Sequence, residues 1–174
     1  MNTESARVLD PCCGSRMFWF DPKNQNVLFG DQRIETHTLC DGRSLEINPD
    51  VKMDFRAMPF ENEQFNLVVF DPPHLKAAGP QSWVTAKYGK LSTDWREDLT
   101  KGFAECFRVL KPDGTLIFKW ASVQIKTSEV LALTPVKPLF GHISGKRSNT
   151  HWITFMKPQA SQASKAGVVN APGR

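Results

Sequence analysis

The sequence predicts a single α/β domain built on a mostly parallel sheet, and three observations carry that prediction. Short apolar runs alternate with longer polar or amphipathic stretches along most of the chain. One of these runs, Leu67 to Phe70, is apolar without interruption, as a central strand buried on both faces must be. The early runs also carry a carboxylate at or next to their ends, where an open parallel sheet binds its ligands.

The predicted strands are 7–10 (RVLD), 26–31 (NVLFGD), 51–55 (VKMDF), 65–71 (FNLVVFD) and 115–120 (TLIFKW). A helix is predicted over 94–110. Asp94 and Glu97 are spaced as a capping box, and Trp95, Leu99, Phe103, Cys106, Phe107 and Leu110 recur at helical spacing. Lys111-Pro112-Asp113-Gly114 then turns the chain into the next strand. Residues 138–144 and 150–157 read as a C-terminal antiparallel hairpin around the 145–149 loop. The domain is expected to span residues 1–157. Beyond Pro158 the Ala, Ser, Gln and Gly composition predicts a disordered tail over 158–174.

At 174 residues and 40% hydrophobic content the chain suits one domain with a real core. No apolar stretch approaches the roughly 18 residues of a membrane helix, and MNTESARVLD lacks the charged start and apolar run expected of a secretory signal. A cytoplasmic protein with no membrane partner is expected. Cys12 and Cys13 are adjacent, Cys40 and Cys106 are isolated, and the four histidines are scattered. That spacing predicts buried apolar thiols and no metal. Charge is uneven: residues 1–70 hold 7 Lys/Arg against 11 Asp/Glu, and residues 71–174 hold 15 against 7. An acidic half suits a cationic ligand and a basic half suits a polyanion.

Asp10, Asp31, Asp54 and Asp71 are expected to converge on one crevice. Asp10 begins DPCCGSR, which reads as a tight strand-to-helix turn in which Gly14 lets backbone approach a ligand. Asp31 follows Gly14 by 17 residues, close to the spacing at which a carboxylate accepts both hydroxyls of a ribose. The absence of GxGxxG disfavours a pyrophosphate ligand and favours one with a ribose and a positive charge.

Asp71-Pro72-Pro73-His74 is the most specific segment. The amino nitrogen of a nucleobase is a poor nucleophile because its lone pair is delocalised into the ring. The Asp71 carboxylate and the Pro72 carbonyl are acceptors that can draw that nitrogen towards tetrahedral geometry. Proline fixes φ and brings no N–H, so the turn presents acceptors only. His74 offers a flat face on which a flipped base can stack. The bland alternative is a rigid turn with a helix-capping aspartate.

Taken together, these residues resemble class I S-adenosylmethionine-dependent methyltransferases, in particular the amino-methylating enzymes such as DNA adenine methylases. The resemblance covers roughly residues 7–157. VLDPCCGS is similar to the first motif of that family, placing Asp10, Cys12 and Gly14 at the methionine end of the cofactor. VLFGDQR is similar to the second, placing Asp31 on the ribose. MDFRAMPF and FENEQFNLVVFDPP resemble the third and fourth, placing Asp54 and Phe55 near the cofactor's adenine. FRVLKPDGTLIFKW resembles the family's helix, turn and fifth strand. The resemblance implies a Rossmann-like sheet of about seven strands whose last strand runs antiparallel.

Arg16 stands where the family usually has a second glycine, and its guanidinium is a candidate for the methionine carboxylate. His74 replaces the usual Tyr, Phe or Trp. No separate target-recognition domain is visible, which suggests a protein partner that supplies it. The 76–93 loop interleaves Lys76, Lys87 and Lys90 with Trp83 and Tyr88, a pattern suited to phosphate contact and base stacking. The expected activity is methyl transfer to an exocyclic amine of a base, foremost the 6-amino group of adenine in DNA. RNA base methylation and a catalytically idle binding module, for which Arg16 argues, are the alternatives.

Overall fold

The computed structural model describes residues 6–39, 41–77, 83–145 and 149–159, with the backbone alone at 83 and 84. The main sheet has seven strands: β1 (Val8–Asp10), β2 (Val27–Asp31), β5 (Val51–Lys52), β6 (Phe65–Phe70), β7 (Leu110–Ala121), β8 (Phe140–Ile143) and β9 (Thr150–Met156). Their order is β5-β2-β1-β6-β7-β9-β8. The pairs among β5, β2, β1, β6 and β7 are parallel, and β9 runs antiparallel to both β7 and β8. The expected sheet, with its reversed last strand and C-terminal hairpin, is present.

Helix α2 (Trp95–Val109) covers one sheet face. Its buried side chains Trp95, Leu99, Phe103 and Cys106 belong to the stripe that the sequence spacing predicts; Val109 joins them, Phe107 is half-buried and Leu110 opens β7. Phe103 lies 4.9 Å from Phe118 and 5.8 Å from Phe70, ring to ring. Gly102 allows that approach, since a Cβ there would lie 2.8 Å from the rings of Phe55 and Phe70. The capping box does not form. Asp94 makes no side-chain cap; the Ser92 hydroxyl accepts from Asp94 N–H at 3.1 Å and donates to Asp98 at 2.5 Å. Glu97 instead pairs with Lys101, one turn on.

Further expectations are corrected. No helix follows β1: residues 11–26 run as successive turns. Their aromatics pack on the sheet face opposite α2, with Trp19 edge-on to Phe29 and Phe18 edge-on to Trp152. Between β2 and β5 lies an antiparallel hairpin, β3 (Glu35–Thr38) and β4 (Ser44–Ile47), that the apolar pattern did not show. The third predicted strand shortens to Val51–Lys52, and Asp54 forms only an isolated bridge with Ala57. The Lys111–Gly114 turn is an interruption inside β7, where Leu110 pairs with Phe65 and Thr115 already pairs with Leu67. Asp113 takes a left-handed φ of 61° in that detour. Residues 83–88, expected as loop, form the short helix α1 (Trp83–Tyr88). The remaining helix among the described residues is α3 (Thr127–Leu131). No helix of the described residues is long and apolar enough to cross a membrane. The predicted tail beyond 159 lies outside the described residues.

Candidate functional site

A cavity of about 130 Å³ opens at the carboxyl ends of β1, β2, β6 and β7. The loop after β1 forms one wall through Cys12, Cys13, Gly14 and Ser15. Gly14 adopts φ +50° and turns its backbone N–H to Asp31 Oδ2 at 2.9 Å. A Cβ at Gly14 would meet the Lys87 carbonyl at an ordinary 3.7 Å, so it is the left-handed φ that calls for glycine here. Arg16 also sits at a left-handed φ, +57°, the geometry that a second glycine would adopt without strain.

Asp31 is nearly buried and links three elements. Oδ1 accepts from Arg33 N at 2.9 Å and Arg33 Nε at 3.2 Å, and Arg33 Nη1 continues to the Ala86 carbonyl of α1 at 3.0 Å. On the same cavity wall, the Ser15 hydroxyl is buried without a hydrogen-bond partner among the described residues. A buried polar atom left open at the lip of a cavity is a place for a ligand group.

Asp71, Pro72 and Pro73 line the opposite wall. Asp71 Oδ2 lies 2.5 Å from Lys119 Nζ, and both side chains are largely buried. Burial pushes the Asp71 carboxyl above its usual range, against the pull of the Lys119 charge. The Lys119 ammonium sits 5.2 Å from the Phe18 ring, 5.6 Å from Trp152 and 5.9 Å from Tyr88. Lys119 was not among the residues singled out from sequence. Its signal was present: one cation at the carboxyl-terminal end of the apolar run 115–120.

The sequence-predicted residues divide as follows. Cys12, Gly14, Asp31, Phe55, Asp71, Pro72, Pro73, Lys87, Tyr88 and Lys90 all line the cavity. Asp10 does not reach it: the carboxylate is fully buried below, accepting from Trp19 Nε1 at 2.8 Å and Cys12 N at 3.2 Å. Burial raises its pKa to about 7. Asp54 lies to one side in an ion-pair chain with Arg56 and Asp98, at 2.6 and 2.8 Å, and Arg56 holds its carboxyl below the usual range. Two of the four strand-end acids therefore line the cavity.

The Arg16 guanidinium points away from the cavity. It donates to the Pro22 and Asn48 carbonyls at 2.8 Å, pairs with Asp50 at 3.0 Å and lies over Phe29. His74 is packed between Tyr88 and Trp120, at ring distances of 5.5 and 6.3 Å, outside the cavity lining. Burial holds its imidazole below the ordinary pKa. The aromatic faces in the cavity belong to Phe18, Phe55 and Tyr88. Lys76 lines a wider neighbouring groove of about 800 Å³, with Arg56, Lys90 and Arg96. The side chain of Trp83 lies outside the described residues.

No protein-family model matches the sequence, and no curated protein matches it. Solved structures do match. A TehB-like SAM-dependent methyltransferase from Corynebacterium glutamicum has a TM-score of 0.55 at 18% identity, covering 88% of this chain and 81% of that one. The PH0226 protein of Pyrococcus horikoshii OT3 has 0.52 at 17%, covering 87% and 81%. An rRNA methylase from Streptococcus thermophilus has 0.50 at 10%, covering 90% and 89%. The fold is a Rossmann-like methyltransferase fold. Within it the cavity occupies the crevice beyond the parallel strand ends, where this class of sheet takes its ligand.

Proposed function

We propose that the chain is an S-adenosylmethionine-dependent methyltransferase acting on an exocyclic amine of a nucleic-acid base, foremost the 6-amino group of adenine in DNA. One observation carries this reading. The glycine loop with Asp31 and the Asp71-Pro72-Pro73 turn face each other across a single cavity.

The cofactor fits the chemistry of the donors present. The loop at Gly14 brings backbone to the cavity wall, the Ser15 hydroxyl is available to a carboxylate, and the Asp31 carboxylate suits a ribose. When bound, S-adenosylmethionine supplies an electrophilic methyl group. The chain orients the acceptor: Asp71 and the Pro72 carbonyl take the amine hydrogens, and Tyr88 or Phe18 stacks the ring in the place foreseen for His74. Small-molecule sites occupy roughly 300–1,000 Å³. The cavity is smaller than that, and Lys87–Lys90 form part of its wall. The adjoining groove, with Lys76 and Lys90 on its walls, supports a polyanionic substrate.

The test is transfer of a radiolabelled methyl group to intact DNA, RNA and free nucleosides by wild type and Asp71→Ala. Wild type is expected to label DNA above RNA, and Asp71→Ala to lose the label while keeping cofactor affinity within a few-fold. Normal turnover by Asp71→Ala would remove the reading.

A further inference from the structure

Asp71 and Lys119 enter the cavity from the ends of adjacent strands, β6 and β7, and form a donor beside an acceptor. Asp71 Oδ2 is engaged with Lys119, and Oδ1 has no hydrogen-bond partner among the described residues. The Lys119 ammonium carries three N–H donors, of which one is committed to Asp71. The rings of Phe18, Tyr88 and Trp152 surround the rest, and a ring accepts far more weakly than a nitrogen or oxygen. One acceptor and two donors thus remain side by side, 2.5 Å between the bonded atoms, against aromatic faces.

Adenine and cytosine present the complement of this arrangement. On each, an exocyclic amine and an unprotonated ring nitrogen are bonded to one carbon, so an N–H donor and a lone-pair acceptor stand next to each other along one edge. The two nitrogens are separated by slightly less than a hydrogen-bond length.

We propose that Lys119 and Asp71 together read that edge: Asp71 accepts from the target amine while Lys119 donates to the neighbouring ring nitrogen. The inference rests on the proposed base-amine activity and specifies its substrate. Amines without an adjacent ring acceptor are rejected, because their binding leaves a Lys119 donor buried and unpaired. The pair also fixes the in-plane orientation of the base, which a single carboxylate does not.

The experiment uses the full chain and oligonucleotides in which the target adenine is replaced by 1-deazaadenine or 7-deazaadenine. These analogues keep the amine and the ring and replace one ring nitrogen by C–H. For wild type, kcat/KM is expected to fall tenfold or more with 1-deazaadenine, which lacks the ring nitrogen beside the amine, and to stay within threefold with 7-deazaadenine. Lys119→Met is expected to be slower on adenine and to treat all three bases alike; Lys119→Arg, which keeps donors and charge, retains discrimination. Wild type indifferent to 1-deazaadenine overturns the proposal, whatever its response to 7-deazaadenine and whatever the folding of the variants. Discrimination undiminished in Lys119→Met overturns it as well, since another group must then read the nitrogen. Cofactor binding without methylation of any base defeats the proposed function itself, an outcome distinct from methylation of all three bases at equal rates.

Discussion

Trp19 donates its indole N–H to Asp10 at 2.8 Å, and this bond ties the helix-less segment after β1 to the strand it leaves. The carboxylate is fully buried and lies near Asp31 and Asp71, so its ionisation is opposed by desolvation and by like charge. The folded-state pKa of about 7 stands above the ordinary 3.8. Between those values the folded chain holds a proton that the unfolded chain has released.

It follows that the contribution of Asp10 to stability is greatest below about pH 4, declines as pH rises to about 7, and levels off above that. The raised pKa of Asp71 adds to the same slope. For Asp10 alone the decline is about 4 kcal/mol. Urea unfolding of wild type and Asp10→Asn at pH 5 and pH 8 checks this. Asp10→Asn should lose some stability at pH 5, since one of two acceptors is gone, and show a much shallower loss towards pH 8. Parallel pH profiles for the two proteins would place the burial cost elsewhere.

Arg16 separates a structural role from a ligand role. Its guanidinium joins Pro22, Asn48 and Asp50, bridging the turn segment after β1 to the loop before β5. Arg16→Ala should cost about 1–3 kcal/mol of stability, as loss of charge-assisted bonds does, and leave S-adenosylmethionine affinity within threefold. Chemical denaturation and calorimetry on the same samples decide the matter. A tenfold loss of affinity at unchanged stability would return the guanidinium to the cofactor's carboxylate.

Much of the sheet was legible because burial on two faces demands apolar runs, and those runs survive as β1, β2, β6, β7 and β9. The β3–β4 hairpin was not, because Glu35–Thr38 is polar and exposed on both sides. Its one clear cue was Asp41-Gly42, where Gly42 takes φ +82°. The missing helix after β1 follows from a segment containing Pro11, Gly14 and Pro22, which the strand-to-helix pattern overrode. At the site, strand-end position identified Asp31 and Asp71 but did not distinguish them from Asp10 and Asp54. That distinction depends on Trp19 and Arg56, whose side chains take up the latter two. Arg33 and Ser15 carried no periodic or spacing signal; one acts on a carbonyl 53 residues away and the other is notable only for lacking a partner.

Asp31 is the position at which cofactor affinity should respond most. Replacing it with alanine removes the acceptors of Gly14 N–H and of the Arg33 guanidinium together with those offered to a ribose. A loss of about 1–3 kcal/mol of binding is expected, roughly five- to 150-fold in Kd. Titration calorimetry with S-adenosylmethionine and its demethylated product measures it directly. Equal affinities for wild type and Asp31→Ala would show that the ribose is not held here.

The groove beside the cavity should bind nucleic acid chiefly through phosphates. Lys76 and Lys90 stand on its walls, whereas Arg56 is paired with Asp54 and Asp98, and Arg96 with Glu129. The two lysines are thus the cations best placed to take up phosphates, and each phosphate contact releases counterions. On a duplex the logarithm of affinity falls with that of salt by roughly 0.9 per contact. Lys76→Ala with Lys90→Ala should therefore shallow the slope by up to about two units. Tyr88 acts differently. Its ring lines the cavity, and stacking of a flipped base on it releases no counterions. Tyr88→Ala should weaken binding about five- to 150-fold with the slope unchanged, a loss of roughly 1–3 kcal/mol. Fluorescence anisotropy with a duplex at several salt concentrations separates the two effects. A double-lysine variant with the wild-type slope would move the phosphate track away from this groove. A Tyr88→Ala variant whose slope changes as the lysine variant's does would show that the ring supports Lys90 instead of a base.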